Sequence, residues 1–429
     1  MAVKPIDISF VYILETQMRV GILARHAASF FVYLSLASAQ PNQATTPTPP
    51  SDTAELKQEI EQVEALMPTL PDRGAALFLL AHDYARMGNT AEALSSLKQC
   101  IQLEEGFDPE GDPAFEPLRS AREFQELVER VHGRYPAVHH AHVAFSVKEK
   151  DLIPEGLAVD RKSSRLYMGS LNLRKIVKIT TSGDVSDFVR AGQYKLGPIC
   201  GLKVDGGDAS LWANTCPDNG VGAELLHFDR TGRLTERFSP PTSGQHLFND
   251  LVLRGKDEIY LTDSLANRVY RFDHKSHRFS EVRLARGIYY PNGIALSDDG
   301  NLLYVADAFG ILQINLRDGN TQEVDSGRSN TISGADGLYW YRNSLIAIQN
   351  SLGSSRVAQF RLSPDGLRVT AVITLEYRSP LVALPTTGAI HGSMFYFMSN
   401  TQVDNFKDNK IVDPAKLESV RISVVQLQH

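Results

Sequence analysis

The stretch PNGIALSDDGNLLYVAD, residues 291–307, decides the fold. An apolar segment follows Asn292 and Gly293, a turn of Asp and Gly residues interrupts it, and a second apolar segment containing Tyr304 comes next. Two short apolar segments separated by turn residues are typical of antiparallel strands joined by a hairpin turn. The stretch therefore predicts a pair of adjacent strands, and its pattern recurs along the chain.

The pattern occurs six times between residues 140 and 429. In each copy a polar residue or a cysteine comes first, Gly usually follows, and an aliphatic strand, a turn and a second strand come next. The copies start at Glu155, Cys200, Asn249, Asn292, Asp336 and Thr387. They are 45, 49, 43, 44 and 51 residues apart, which is the usual length of a four-stranded propeller blade. We therefore predict a mainly β fold, a six-bladed β-propeller over residues 140–429.

The first residues of the six copies are expected to meet at the centre of the molecule. In a propeller the first strand of every blade lines the central channel, so equivalent positions form a ring at one depth. Carboxylate or amide oxygens come from four members of this ring, Glu155, Asn249, Asn292 and Asp336. Such oxygen sets suit Ca²⁺, Mg²⁺ or Mn²⁺. A water-filled channel also needs polar side chains, so the ring alone leaves metal binding and simple solvation open.

Around these positions the sequence resembles the gluconolactonase/regucalcin (senescence marker protein) family. The similar segments are PEGLAVD at 154–160, FND at 248–250, the stretch at 291–307 and ADGLYW at 335–340. They occur in the order and at the spacing of that family, and the resemblance covers the predicted propeller but not the residues before it. It implies a six-bladed propeller that holds one divalent cation in its mouth and hydrolyses a lactone.

The resemblance also implies roles for individual residues. Glu155, Asn292 and Asp336 would be the metal ligands, with Ca²⁺ as the first expectation and Mg²⁺, Mn²⁺ or Zn²⁺ as alternatives. Asn249 and Asp250 would contact a small-molecule substrate. Asp336 would also act as the base that takes a proton from water, while the cation polarises the lactone carbonyl.

One residue departs from the family pattern. Members of the family usually have Arg two residues before the Asn of the third blade, where it binds substrate hydroxyls; this chain has Leu247, preceded by His246. An apolar group at a substrate-binding position fits a less polar lactone or ester better than a sugar lactone. It also fits an alternative function, a propeller that binds a ligand or a partner without catalysis.

The first part of the chain predicts export to the periplasm or the cell exterior. Residues 1–39 resemble a secretory signal peptide when read from Met18, the expected true start: basic residues and an apolar run precede Ala37-Ser38-Ala39. Cleavage is expected after Ala39, leaving no membrane span. Residues 40–52 are rich in Pro and Thr and are predicted to be a linker.

Residues 53–135 predict a small helical domain that resembles a tetratricopeptide (TPR) repeat. Apolar residues recur at helical spacing, and the predicted helices are 53–67, 73–87, 90–104 and 117–132. The TPR-like pattern runs through Leu77, Leu80, Ala81, Tyr84, Gly88, Ala93, Leu97 and Cys100. Two hypotheses follow: the region is a docking surface for a protein partner, or it is a helical spacer that caps the propeller or the signal region.

Charge and cysteine content narrow the classes of partner. The formal net charge of −6 and the lack of a Lys/Arg run in the body of the chain argue against nucleic acid. Cys200 and Cys216 are predicted to face each other across a hairpin of the second blade, either as a disulfide or as two free thiols.

Several other polar residues are candidates for roles near the mouth. His391 could be a proton shuttle, although a hydrogen-bonded strand histidine is the alternative. Most of the polar residues that end the second strands are expected to cap turns; they are Asn214, Asp263, Asp307, Asn350 and Asn400. Asp263 and Asp307 are also candidates for supporting the metal ligands from behind or for binding a second cation. A cluster of His139, His140 and His142 could bind a metal weakly or be a solvated linker.

Overall fold

The computed structural model describes residues 50–70, 73–103, 106–217, 220–284, 286–327, 330–407 and 409–429. The predicted signal peptide and the linker up to residue 49 lie outside these ranges. The first described helix, α1, begins at Pro50, inside the predicted linker. Within the described ranges no helix is long and apolar enough to cross a bilayer.

Among the described residues, four α-helices precede the propeller. They are α1 (Pro50–Leu66), α2 (Gly74–Arg86), α3 (Thr90–Leu103) and α4 (Arg122–Arg134). The turn between α2 and α3 contains Gly88 at φ +78°, a conformation that glycine adopts without steric cost. Small residues, Ala81 of α2 and Ala93 of α3, are fully buried in the core of this region. The helical region is therefore a packed unit, and its relation to TPR repeats remains a prediction.

In the described part of the chain six antiparallel sheets follow, five with four strands and one with five, and they confirm the six-bladed propeller. Blades 1 and 2 contain β3 (Pro154–Asp160), β4 (Arg165–Ser170), β5 (Ile176–Ile179), β6 (Val185–Val189), β7 (Ile199–Val204), β8 (Leu211–Thr215), β9 (Leu225–Phe228) and β10 (Leu234–Phe238). Blades 3 and 4 contain β11 (Phe248–Arg254), β12 (Glu258–Asp263), β13 (Arg268–Asp273), β14 (Arg278–Glu281), β15 (Ile294–Leu296), β16 (Leu302–Asp307), β17 (Gly310–Asn315) and β18 (Thr321–Glu323). Blade 5 contains β19 (Ala335–Tyr341), β20 (Ser344–Gln349), β21 (Arg356–Leu362) and β22 (Val369–Tyr377).

Blade 6 is closed by a strand from the other end of the propeller sequence. Its inner strands are β23 (Gly388–His391) and β24 (Met394–Met398), followed by β27 (Val420–Gln426) and, at the outer edge, β2 (His142–Val147). A small hairpin of β25 (Phe406–Lys407) and β26 (Lys410–Ile411) lies between β24 and β27 in sequence. The strand β1 (Val138–His139) adds to the outer edge of blade 5. The three clustered histidines are therefore exposed at or between the outer edges of two blades.

The glycine of the repeated pattern is required by the close approach of neighbouring inner strands. A Cβ atom on Gly156 would lie 1.7 Å from the Cys200 carbonyl oxygen, and one on Gly293 would lie 2.6 Å from the Leu338 nitrogen. No side chain fits at such distances. Successive blades therefore pack backbone against backbone at the axis, and the apolar cores lie farther out between the blades. In blade 3 the glycine is replaced by Asp250, whose side chain reaches a neighbouring blade.

The helical region packs against blades 4 and 5. Phe309, in the turn between β16 and β17, and Leu352, in the loop between β20 and β21, are buried in the same apolar core as Phe78 of α2. The fully buried Asp108 joins the two regions by hydrogen bonds: its carboxylate accepts from Ser354 Oγ at 2.8 Å and from Tyr377 Oη at 3.2 Å. A helical spacer that caps the propeller must contact it, and the helical region does so here. Docking of a protein partner remains a prediction.

Candidate metal centre at the propeller mouth

The repeated pattern brings its first residues together at one end of the channel, called the mouth below. Asn249, Asn292 and Asp336 are buried and Glu155 is partly buried. Hydrogen bonds fix the strand starts to one another. Thr387 Oγ1 donates to the Glu155 carbonyl oxygen and thereby joins blade 6 to blade 1. Thr262 Oγ1, from the second strand of blade 3, donates to the Asn292 carbonyl oxygen at 2.7 Å.

Three carboxylates, those of Glu155, Asp250 and Asp336, share this buried space, and the pKa values of Glu155 and Asp336 are raised. Burial raises the pKa of Glu155 well above its usual range, and the charges of Asp336 and Asp250 raise it further. Burial also raises the pKa of Asp336 to about 7, with a contribution from Asp250, although hydrogen bonds from Asn350 and Asn292 act in the opposite direction. The site therefore resists carrying its full negative charge unless a cation is present.

One cation from the described part of the chain reaches these carboxylates. Lys203 Nζ lies 3.1 Å from Asp250 Oδ1 and 5.4 Å from the centre of the Tyr339 ring. Within the described ranges Glu155 and Asp336 form no ion pair. When all three carboxylates are ionised, the single ammonium group leaves two negative charges unbalanced. One divalent cation would balance them.

The donor atoms also fit a divalent cation. Glu155 Oε2 and Asp250 Oδ2 are buried, and neither has a hydrogen-bond partner among the described residues. A buried charged oxygen without a partner is costly, so such atoms indicate a missing ligand. Carboxylates together with the Asn292 amide form an oxygen set of the kind that Ca²⁺ and Mg²⁺ prefer. The residues therefore fit the ion that the sequence resemblance implies.

Asn350 was not assigned to the site from the sequence, but it holds the central carboxylate. It follows β20, and its Nδ2 donates to Asp336 Oδ2 at 2.6 Å and to the Pro385 carbonyl oxygen at 3.0 Å. The sequence predicts Asn350 as a turn cap on the mouth side. Lys203 lies two residues beyond Gly201 on the first strand of blade 2. The strand position of each residue therefore pointed to the mouth, but the carboxylates that they contact belong to strands distant in sequence.

The predicted substrate residues lie at or just before the start of β11, the first strand of blade 3. Asn249 Nδ2 donates to Ser264 Oγ at 3.0 Å, and Ser264 Oγ donates to the Pro291 carbonyl oxygen at 2.6 Å. Leu247 is partly buried, and its backbone nitrogen donates to Asp263 Oδ1 at 3.0 Å. The hydrogen bond to Asp263 therefore fixes the backbone of Leu247 just before the first strand of blade 3.

Asp263 and Asp307, the candidates for a second cation, are both engaged by protein groups. Asp263 Oδ2 lies 2.6 Å from His246 Nδ1; burial opposes protonation of His246, but Asp263 outweighs it and raises the pKa of the imidazole. Asp307 accepts from Arg286 Nη1 at 2.6 Å and from the Phe309 backbone nitrogen at 3.0 Å. These contacts give both residues a structural role, as turn caps and ion-pair partners.

His391 does not lie at the mouth. The strand β23 carries it to the opposite end of the channel, where its Nε2 is 3.2 Å from Ser164 Oγ in the turn between β3 and β4. A cavity of about 720 Å³ occupies that end, lined by the hairpin ends of the first strands. His391 is thus a hydrogen-bonded strand residue. The proton-shuttle hypothesis is wrong because it placed His391 at the mouth.

The mouth has two further features. Cys200 and Cys216 are joined in a disulfide with a Cα–Cα distance of 5.9 Å, so the ring position of blade 2 carries no free thiol. A cavity of about 250 Å³ beside Asn350 is lined by Gly111 of the helical region and by Arg378. The helical region therefore forms part of the rim next to the residue that holds Asp336.

No protein-family model and no curated protein matches the chain. Solved structures that resemble it include a gluconolactonase of Xanthomonas campestris, with 16% identity, a TM-score of 0.47 and coverage of 67% of this chain and 88% of that one. A catalytically inactive virginiamycin B lyase of Staphylococcus aureus bound to quinupristin has 16% identity, a TM-score of 0.47 and coverage of 67% and 100%. The PQQ-bound aldose sugar dehydrogenase of Streptomyces coelicolor has 13% identity, a TM-score of 0.46 and coverage of 68% and 99%. What the chain shares with these proteins is the propeller fold.

Proposed function

We propose that the protein is an exported, divalent-metal-dependent hydrolase of a lactone or a related ester. The observation that carries the proposal is the charge of the mouth, where Glu155, Asp250 and Asp336 are opposed, within the described ranges, by the ammonium group of Lys203. The resemblance of the surrounding segments to the gluconolactonase/regucalcin family supports the same reaction.

Glu155, Asn292 and Asp336 would hold the cation through their side-chain oxygens. A bound divalent ion polarises a carbonyl group and stabilises the negative charge that develops on its oxygen during attack by water. The Lys203 ammonium neutralises Asp250, so the remaining carboxylates, Glu155 and Asp336, are those available to the ion.

Asp336 is the base in this proposal. Its carboxylate accepts hydrogen bonds from Asn350 and Asn292, which fix its orientation. It takes a proton from water as the water oxygen bonds to the lactone carbonyl carbon. The ring C–O bond then breaks, and the proton is returned to the alkoxide that leaves, so the product is a hydroxy acid.

The substrate class follows from the side of the mouth formed by Leu247 and Asn249. Asn249 offers an amide to a polar group of the substrate, while Leu247 offers an apolar contact in place of a guanidinium group. Such a site favours an alkyl-substituted lactone or ester over a polyhydroxylated sugar lactone, because hydroxyl groups beside Leu247 would lose partners that water provides.

The test is hydrolysis by protein that has been depleted of metal and then reloaded. Metal-free protein should be inactive towards a panel of alkyl and sugar lactones, and Ca²⁺, Mg²⁺, Mn²⁺ or Zn²⁺ should restore activity towards at least one of them. Hydroxy-acid release followed by pH-stat titration measures the rate. Tight retention of metal with no turnover of any lactone or ester would reject the enzymatic function.

Leu247 and the helical rim favour a second candidate, a propeller that binds a ligand without hydrolysing it. Both features replace or add contacts at the mouth without supplying a catalytic group. In that case a lactone should bind to the metal-loaded protein in calorimetry and be recovered intact after prolonged incubation.

Export is tested separately. Full-length protein with an intact residue 1–39 segment should be recovered outside the cytoplasm and should begin at residue 40, as shown by mass spectrometry of its N-terminus. Deletion of residues 19–39, which keeps Met18 as the start, should leave the protein in the cytoplasm, and export of that deletion variant would contradict the signal-peptide prediction.

A further inference from the structure

A second group of metal-ligating side chains lies far from the mouth ring, at the outer edge of blades 2 and 3. His227 is in β9, Glu236 is in β10, and His274 follows β13 of the next blade. One ligand atom from each of the three lies within 4.8 Å of the other two. We call these three residues the edge cluster.

The side chains of the edge cluster converge on one carboxylate. Glu236 Oε2 lies 2.9 Å from His227 Nδ1 and 2.7 Å from His274 Nε2. A third imidazole, that of His277 in the turn between β13 and β14, places its Nε2 3.4 Å from Glu236 Oε1. The cluster opens on a cavity of about 410 Å³, which leaves room for an ion and its water.

Packing holds two of the imidazoles in place. The Trp212 indole stacks on the His227 ring with centroids 4.2 Å apart and an angle of 12° between the planes, and it meets the His274 ring edge-on at 4.9 Å. The backbone nitrogen of His274 donates to the Asp257 carbonyl oxygen at 2.8 Å. Ligands fixed in this way lose little conformational freedom when a metal binds, which favours binding.

We propose that His227, Glu236 and His274, with His277 as a fourth ligand, form a binding site for Zn²⁺ or a similar transition-metal ion. Imidazole nitrogens with one carboxylate are the ligand set that Zn²⁺ accepts, at metal–ligand distances of about 2.0–2.2 Å. Ligand atoms around a tetrahedral metal lie about 3.3 Å apart, so Glu236 Oε2 and the two imidazole nitrogens that it contacts need to separate by roughly half an ångström to admit the ion.

The position of the site gives the ion a structural role. Two ligands come from blade 2, and the two others come from the segment around the β13–β14 turn of blade 3. Neighbouring blades are otherwise joined at this edge by aromatic contacts such as that of Phe238 with Phe272, whose ring centroids are 4.5 Å apart. An ion bound here would link the outer strands of two blades and stabilise the native state by its binding free energy.

Trp212 provides a local reporter for the test. The chain has two tryptophans, so Trp340→Phe leaves Trp212 as the only one. The measurement uses full-length mature protein without a polyhistidine tag, and His139, His140 and His142 are replaced by Ala to remove a competing surface site. Cu²⁺ should quench Trp212 fluorescence to saturation as one ion binds beside the indole, and excess Zn²⁺ should reverse the quenching by competition. The Zn²⁺ content after dialysis, measured by mass spectrometry and compared between the parent protein and the edge-cluster variants, gives an independent readout.

Two variants decide the proposal. Glu236→Gln keeps the shape of the side chain and His274→Ala removes one imidazole; each should weaken Zn²⁺ binding at least about tenfold. Asp336→Asn at the mouth and His391→Ala at the other end of the channel should leave Zn²⁺ binding at the edge unchanged. Unaltered Zn²⁺ affinity in both edge variants, or no saturable quenching in the parent protein, would overturn the proposal and leave a hydrogen-bonded His–Glu network. Circular dichroism of each variant confirms that it is folded.

Discussion

The propeller mouth and the edge cluster both place carboxylates among polar side chains, but the charge around those carboxylates differs. At the mouth, three carboxylates face one Lys203 ammonium group, and the pKa values of Glu155 and Asp336 are raised. At the edge, one carboxylate faces three imidazoles. Burial alone would raise the pKa of Glu236, but the hydrogen bonds and charges of His274 and His227 outweigh it and lower that pKa.

The difference shows what each region needs. The edge cluster satisfies its own carboxylate, so the metal-free protein is already stable there and an ion would replace protons and hydrogen bonds. The mouth has buried carboxylate oxygens without partners among the described residues, so in the metal-free protein it is a source of instability that the proposed cation would remove. A site that the fold cannot neutralise by itself is where a resident functional ion is expected.

Asp336→Ala should produce the largest effect and should separate the two regions. Loss of the base and of a metal ligand should reduce kcat/KM for the preferred lactone by about 10²–10⁴-fold, while Zn²⁺ binding at the edge cluster stays the same. Steady-state hydrolysis and Trp212 quenching measure the two regions in one protein. Asp160→Asn, which changes a carboxylate at the far end of the first strand of blade 1, is the control and should keep its activity. Equal activity in Asp336→Ala and the parent would remove Asp336 from the mechanism.

The pH dependence of the metal-free protein should differ between the regions. Since the folded-state pKa of Asp336 is raised from 3.8 to about 7, the folded protein binds this proton more tightly than the unfolded chain. The unfolding free energy should therefore fall as the pH rises from about 4 to about 7, with a total loss of a few kcal/mol. Urea denaturation in EDTA measures it, and Asp336→Asn should flatten the slope. A parent and variant with parallel pH profiles would contradict the raised pKa.

Glu155→Gln should stabilise the metal-free protein and weaken its binding of the divalent ion. The substitution removes a buried charge whose Oε2 has no partner among the described residues, so the unfolding free energy in EDTA at neutral pH should rise by about 1–3 kcal/mol. Asp160→Asn on the same strand is the matched control. Burial opposes ionisation of Asp160, but its hydrogen bonds with Ser163 and Lys162 outweigh it and lower its pKa. Its replacement should therefore be destabilising, and destabilisation by Glu155→Gln as well would show that the mouth is not strained by charge.

The sequence predicted the propeller well because one repeated pattern encodes both the strands and their packing. The pattern requires a glycine where the inner strands of neighbouring blades touch, as at Gly156. Because this contact occurs once in each blade that keeps the glycine, the distance between copies of the pattern in the sequence equals the length of a blade. Glu155, Asn292 and Asp336 occupy the same position in their copies of the pattern, which places them at one depth in the channel. Those residues could be grouped from the sequence alone, because equivalent positions in equivalent blades must converge.

The remaining features depend on contacts that no local pattern records. Lys203 of blade 2 reaches Asp250 of blade 3, and Asn350 reaches Asp336 from a neighbouring strand. His391 was placed at the wrong end because four residues of extended strand span about 13 Å, enough to move it along the channel. Docking of the helices through Asp108 likewise follows from tertiary packing. Residues that act through a partner distant in sequence, without a repeat to align them, were therefore the ones that the sequence did not reveal.

Glu236→Gln should give the smallest effect, and its sign should be opposite to that of Glu155→Gln. The lowered pKa of Glu236 means that its ionised form stabilises the folded state, with stability lost as the pH falls through its titration. Because the side chain is 27% exposed, solvent weakens its ion pairs, and the amide should cost only about 0.5–1 kcal/mol in EDTA at neutral pH. Urea denaturation of the two Glu→Gln variants under identical conditions makes the comparison directly.

With saturating Zn²⁺ the difference in unfolding free energy between Glu236→Gln and its parent should grow, because only the parent gains the full binding free energy. A Zn²⁺-independent difference would mean that Glu236 acts through its hydrogen bonds alone, whereas a stabilising Glu236→Gln would show that the imidazoles do not neutralise this carboxylate.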